Sequence, residues 1–322
     1  MIALRITLEK DLGRSRKRNF LVTGGSGQIG SELKSLKSSD KINLIFPSSS
    51  LMDISKRKSI ANYLEKKNIS FVINLAAFTD VNGAEDKKRE CYKINSKGVE
   101  YLSIETALRD IPIIHFSTDY VFGNKPSGIK KTNDVCLPLN YYGFTKLEGE
   151  NFILRNNRKG YVVRLASVFG KNGDNFVKNI TRLIYLQKDL KIVSDQKISM
   201  TSSQDVAQNI YYLIDLIEEK IESNTNDRIL HFANKGYTNW FKVSKVILNE
   251  IEKFNNKKNF IKLESIKSDD WEASAKRPID SRLKVNYKEL EKKNIILPNW
   301  EKRVREVVKS LIPIYNGEKF EQ

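Results

Sequence analysis

The sequence predicts an α/β protein built on a doubly wound parallel sheet, with a smaller C-terminal α+β region beside it. Three observations carry that expectation. Short β-branched runs alternate with longer, charged segments of helical period across residues 19–166. Those runs are nearly continuous in apolar residues, as happens when helices cover both faces of a parallel sheet. A glycine-rich turn joins the first run directly to the first helical segment.

The elements follow in order. "NFLVT" (19–23) reads as a strand and 28–38 as a helix, then "INLIF" (42–46) as a strand and 55–67 as a helix. "FVINL" (71–75) is a strand and 86–109 a long helix. "IPIIHFS" (111–117) is the fourth strand, followed by a loop and a helix carrying Tyr142 and Lys146; "YVVRLA" (161–166) is the fifth. Repeated units of this kind wind with right-handed crossovers. After residue 166 the rhythm loosens into helices at 175–188, 203–222, 239–255 and 300–312, with "RILHFAN" (228–234) as a further strand.

The chain has 322 residues, 40% hydrophobic, enough for one large domain with an appendage or for two. No apolar run is long enough to span a bilayer, and the charged start lacks a signal-peptide pattern, so a cytoplasmic protein without a membrane partner is expected. Cys91 and Cys136 read as free thiols, and His115 and His231 as core histidines in apolar strands; no metal site is expected. The formal charge is +17, yet the lysines are scattered and only "RSRKR" (14–18) is dense. No reading motif accompanies that charge, so no nucleic-acid partner is expected.

"GGSGQIG" places Gly24, Gly27 and Gly30 at a G-x-x-G-x-x-G spacing, with Gln28 and Ile29 opening the helix. The first glycine permits a tight turn, the second lets backbone approach a pyrophosphate, and the third lets helix and sheet pack closely. A glycine turn with no ligand is the plain alternative. Its position at the first strand–helix junction favours a dinucleotide. The second strand ends in Pro47 and Ser48 to Ser50, with no carboxylate to repel a 2′-phosphate. NADP(H) is therefore tolerated and mildly favoured over NAD(H), although no arginine clamp is evident. Asp53 comes later and is assigned to the adenine, with Ile54 beside it in the cofactor site. Small Ala76 and Ala77 after the third strand let a cofactor pass close to the backbone.

Thr118 and Asp119 stand at the carboxyl end of the fourth strand, 24 residues before Tyr142. Residues four apart on a helix differ by about 40° and share a face, which pairs Tyr142, not Tyr141, with Lys146. A phenol titrates near pH 10, and a nearby ammonium lowers that value. Thr118 can then hold a substrate oxygen while Tyr142 protonates it as hydride arrives from a nicotinamide. A surface tyrosine–lysine pair is the plain alternative.

Taken together, "GGSGQIG", "NLAAFTDVNGAE", "INSKG", "STDYVFG", "PLNYYGFTKLEGE", "VRLASVFG", "DNFV", "SDQ" and "KRPIDSRL" resemble the extended short-chain dehydrogenase/reductase superfamily. Within it the chain is similar to the dTDP-4-dehydrorhamnose reductase family over about residues 19–313. The resemblance implies a Rossmann-like fold, a catalytic set of Thr118, Tyr142 and Lys146, and NADPH, with NADH as the lesser donor, cradled by Gly24 to Gly30. It implies further cofactor contacts from Ala76, Ala77 and Thr79, and a structural or ribose-side role for Asn95. The implied reaction reduces the 4-keto group of a nucleotide-diphosphate 6-deoxy sugar, foremost dTDP-4-dehydro-L-rhamnose, for cell-surface polysaccharide synthesis. Residues 1–18 become an N-terminal extension, 19–168 with a returning segment near 200–235 the dinucleotide-binding domain, and 169–322 mainly the substrate-binding region. A homodimer is compatible. A reductase of another nucleotide sugar, an epimerase or dehydratase with tightly held NAD, and a non-catalytic regulatory subunit of the same family are the rival readings.

Two departures fall on the expected substrate side. Ser167 stands where the family usually carries tryptophan, and Ile198 and Met200 replace a glycine and a proline. The reaction type is thus better defined than the sugar. Arg277, in "KRPIDS", and Asn175, in "GDNF", are candidates for the substrate diphosphate. Arg164 is a structural ion-pair residue or a ligand.

Overall fold

The computed structural model describes residues 17–36, 39–125, 127–256 and 261–317. The chain runs β1 (Arg18–Thr23), α1 (Gln28–Ser35), β2 (Ile42–Ile45), α2 (Arg57–Lys66), β3 (Ile69–Asn74), α3 (Gly83–Asp86), α4 (Lys88–Tyr92), a π-helical segment (Lys93–Gly98) and α5 (Val99–Ala107). It continues through β4 (Ile113–Thr118), α6 (Tyr141–Asn156), β5 (Gly160–Leu165), β6 (Val168–Phe169), α7 (Phe176–Tyr185), β7 (Leu190–Val193), β8 (Thr201–Ser202), α8 (Ser203–Gln208), α9 (Ile210–Glu222) and β9 (Ile229–Phe232). α10 (Trp240–Asn255), β10 (Leu263–Ile266), α11 (Tyr287–Lys292) and α12 (Trp300–Gly317) complete it.

Six parallel strands form the main sheet in the order β2-β1-β3-β4-β5-β9. The chain leaves β1 toward β2, then returns past it to β3. Ligands of open α/β sheets bind at the carboxyl ends of the strands on either side of such a reversal. Alternate strand residues face opposite layers. Phe20, Val22, Phe71, Ile73 and Val163 pack against Leu33 of α1 and Val206, Ile210 and Leu213 of α8 and α9. Leu21, Val72, Ile113 and Val162 pack against Ile60, Leu102 and Ile153 of α2, α5 and α6. A third core joins α7, α10 and α12 around Phe169, Ile247 and Val308.

The element order agrees with the sequence reading, and four details differ. The single helix expected at 86–109 is broken into α3, α4, the π-helical segment and α5. The helix expected at 203–222 breaks at Asn209, whose side chain donates to the Asp205 carbonyl. Such side-chain-to-backbone bonds compete with helix continuation. The pairs β6–β8 and β7–β10 were not anticipated; strands of two and four residues carry too little alternation to be read. Arg18 is the first residue of β1 and pairs with Glu218, so the expected extension loses its last residue to the sheet. Residues 1–16 lie outside the described residues. No helix among the described residues is long and apolar enough to cross a membrane.

Candidate active site

A cleft of about 1180 Å³ opens at the carboxyl ends of the sheet strands around the β1–β3 reversal. Gly24, Gly27, Gln28, Ile29 and Gly30 line its floor. Gly24 sits at φ +68°, and a Cβ there would lie 2.6 Å from the Ala76 nitrogen. A Cβ on Gly30 would lie 2.4 Å from the Gly24 carbonyl oxygen. Gly27 caps α1 without a side chain to accept the first-turn amides, which are left to a ligand. The cradle thus fits the pyrophosphate that the glycine spacing predicts.

Asp53, Ile54, Ala76, Ala77 and Thr79 also line the cleft. Asp53 accepts from the Ser55 amide and hydroxyl, at 3.0 and 2.6 Å, and pairs with Lys56 at 3.2 Å. The Ser55 hydrogen bond, joined by Lys56, holds its carboxyl below the usual range. Asn95 is buried behind the wall, on the π-helical segment. Its amide grips the Phe78 backbone from both sides, accepting from the nitrogen at 2.8 Å and donating to the oxygen at 3.0 Å. It therefore fixes the Ala76–Thr79 stretch instead of lining the cleft itself.

Asn140 caps α6 by accepting from the Gly143 amide at 2.8 Å, which places Tyr142 in the first turn and Lys146 one turn on. Both line the cleft. Thr118 ends β4, and its hydroxyl donates to Asp119 Oδ1 at 3.2 Å and accepts from the Tyr120 amide at 3.2 Å. One expectation is corrected. Desolvation dominates at Tyr142 and pushes the phenol above its ordinary value, where the sequence led to a lowered one. The Lys146 ammonium instead points to the Phe116 carbonyl, 2.7 Å away, and to His115 Nε2 at 3.3 Å.

His115 is thus more than a core residue. The Ala76 amide donates to Thr23 Oγ1, the Thr23 hydroxyl donates to Asn74 Oδ1 at 2.6 Å, and Asn74 Nδ2 lies 2.9 Å from His115 Nδ1. Burial and the neighbouring Lys146 hold the imidazole neutral, well below its usual range. This network links the cleft backbone to Lys146. It is missed when strands are read singly, but Asn74 and His115 are register partners across β3 and β4.

Desolvation pushes Lys146 down from 10.5 to about 8, with Glu150 opposing. An unfolded lysine keeps its proton over that window while the folded one releases it, so stability rises with pH between about 8 and 10.5. The denaturation midpoint of the wild type, relative to Lys146→Met, is expected to climb from pH 8 to pH 10. A constant difference would contradict the shift.

The remaining candidates do not line the cleft itself. The buried Asp119 carboxyl is raised to about 7, chiefly by desolvation. Tyr120 stacks edge-on against Tyr142, with centroids 6.1 Å apart. Arg277 interacts with Tyr120, lies 4.9 Å over the Trp271 ring and donates to Asn82 Oδ1 at 3.1 Å. Ser167 stands at φ +44° beside the cleft-lining Val168. Asn175 is committed elsewhere: it caps α7 by accepting from Lys178 and donates to Gln28 and the Gly170 carbonyl. Ile198 and Met200 are 3% and 1% exposed within the α7–α10–α12 core, so those departures repack the interior and do not face a ligand. Arg164 is a structural residue, paired with buried Glu150 at 2.7 Å.

Residues 18–312 match the RmlD substrate binding domain family. The dTDP-4-dehydrorhamnose reductase of Sinorhizobium fredii is 30% identical over 295 residues, covering 90% of this chain and 97% of that protein. The dTDP-4-dehydrorhamnose reductase of Aggregatibacter actinomycetemcomitans is 32% identical over 266 residues, covering 82% and 90%. Among solved structures, the Clostridium acetobutylicum dTDP-4-dehydrorhamnose reductase superposes with a TM-score of 0.80 at 31% identity, covering 91% of this chain and 99% of that one. The Bacillus anthracis dTDP-4-dehydrorhamnose reductase, solved in complex with NADP, gives 0.79 at 26% identity, covering 92% and 100%.

Proposed function

The chain belongs to the RmlD substrate binding domain family, and we propose that it is an NADPH-dependent reductase of a nucleotide-activated 4-keto-6-deoxy sugar. The foremost substrate is dTDP-4-dehydro-L-rhamnose, giving dTDP-L-rhamnose for cell-surface polysaccharide synthesis. One observation carries this reading most directly. Tyr142 and Lys146, one turn apart on α6, share the wall of a glycine-floored cleft at the carboxyl end of β4, the strand that ends in Thr118.

When bound, NADPH supplies the hydride. Tyr142, kept protonated by desolvation, donates its Oη proton to the carbonyl oxygen as negative charge develops there. Thr118 orients the substrate oxygen. Lys146 holds its cation at the cleft wall, anchored by Phe116 and His115. Gly24 to Gly30 and the α1 N-terminus receive the dinucleotide pyrophosphate. Asn95 acts by positioning. Residues 19–168 with the 200–235 return hold the cofactor, and 169–322 hold the sugar nucleotide. Arg277 is the proposed diphosphate partner, Asp119 and Ser167 border the sugar, and Asn175 acts through the loop it caps. We place the enzyme in the cytoplasm, with a second copy of the chain as its structural partner.

Purified protein mixed with NADPH and dTDP-4-dehydro-L-rhamnose is expected to lose absorbance at the nicotinamide band. No oxidation with this or any related 4-keto sugar, together with NAD retained through purification, would replace the reductase by an epimerase.

A further inference from the structure

We propose that Lys34, with the hydroxyls of Ser48 to Ser50, forms a phosphomonoester site that receives the 2′-phosphate of the cofactor's adenosine ribose. This deepens the reading above and rests on a dinucleotide filling the cleft. The sequence offers no cation at the end of the second strand, where a 2′-phosphate partner is sought. The structure supplies one from another element.

Lys34 lies in the last turn of α1. Helix side chains lean toward the N-terminus, and this one runs back over the glycine turn. A Cβ built on Gly25 would lie 3.1 Å from Lys34 Cε and 3.3 Å from its Nζ. The ammonium stands 5.4 Å over the ring of Phe46, the residue that follows β2. Lys34, Gly25, Phe46, Pro47 and the three serines all line the cleft.

A lysine in the last turn of a helix ordinarily serves the exposed carbonyls there. Lys34 points the other way, and it forms no ion pair with any described residue. The serines add donors: Ser48 and Ser50 hydroxyls stand 2.7 Å apart in a turn closed by the Leu51 and Met52 amides on the Ser48 carbonyl. The one carboxylate among the cleft residues on this side, Asp53, is turned into Ser55 and Lys56. A dianionic phosphate therefore meets an ammonium, three hydroxyls and no facing carboxylate. A ribose bearing a free 2′-hydroxyl gains nothing from the ammonium. The site thus discriminates NADP(H) from NAD(H) by charge.

The test is calorimetric titration of NADP+ and NAD+ into the whole protein, without sugar. Lys34→Ala is expected to weaken NADP+ by about ten- to a hundredfold and to leave NAD+ close to wild type. Lys34→Arg is expected to restore NADP+. The same loss is expected for 2′,5′-ADP but not for 5′-AMP. Lys56→Ala, which removes the neighbouring cation paired with Asp53, is expected to leave the NADP+/NAD+ ratio in place. An unchanged ratio in Lys34→Ala, or an equal loss of both dinucleotides, overturns the assignment. A wild type that binds neither dinucleotide overturns both the assignment and the cofactor reading beneath it.

Discussion

Tyr142→Phe is expected to lower kcat by about 10²- to 10⁴-fold, with NADPH affinity near wild type. The substitution removes one oxygen and keeps the ring. The edge-on packing against Tyr120 is retained, as are the α6 cap at Asn140 and the Lys146 bonds to Phe116 and His115. What disappears is the phenolic proton at the cleft wall. Desolvation makes the phenol a reluctant acid on its own. Its proton leaves only as the substrate oxygen becomes basic, which ties proton transfer to carbonyl reduction. Stopped-flow turnover alongside fluorescence titration of NADPH separates the two quantities. Wild-type turnover in the variant would remove Tyr142 from the mechanism.

Gly30→Ala is expected to destabilise the fold by roughly 1–3 kcal/mol and to weaken dinucleotide binding sharply. The added Cβ would lie 2.4 Å from the Gly24 oxygen, 2.7 Å from Gly25 Cα and 2.8 Å from Gly25 carbonyl carbon. All three are backbone atoms, so no side chain can swing aside. The glycine turn must move away from α1, which opens the pyrophosphate cradle and disturbs the packing of Leu33 on the sheet. Urea midpoints and NADP+ titration read the two effects. Native stability with native NADP+ affinity would show that the close approach of turn and helix is not required.

Much of the site was legible because its parts are local. The glycine turn, the alanines after β3, Thr118 at the end of β4 and the Tyr142–Lys146 spacing all rest on short stretches whose geometry follows from strand and helix periods. What was not legible involves contacts between separate segments. Ile198 and Met200, expected on the substrate side, are enclosed by α7 from earlier in the chain and by α10 and α12 from later in it. Asn175 sits in a motif stretch, but its amide is spent on the α7 cap and on Gln28, 147 residues away. The π-helical turn holding Asn95 has no composition of its own, so one unbroken helix was the natural expectation.

By itself the sequence determined the order of strands and helices, the glycine turn and the spacing that sets Tyr142 and Lys146 on one face of a helix. Each depends on residues a turn or a strand apart, where backbone geometry leaves few choices. Only the tertiary structure decided what Lys146 touches, that His115 and Asn74 stand behind it, and that Lys34 reaches back over the glycine turn. Those arrangements arise where separate strands and helices meet at one end of the sheet, and burial there sets the charges: it raises the phenol, lowers the lysine and keeps the imidazole neutral.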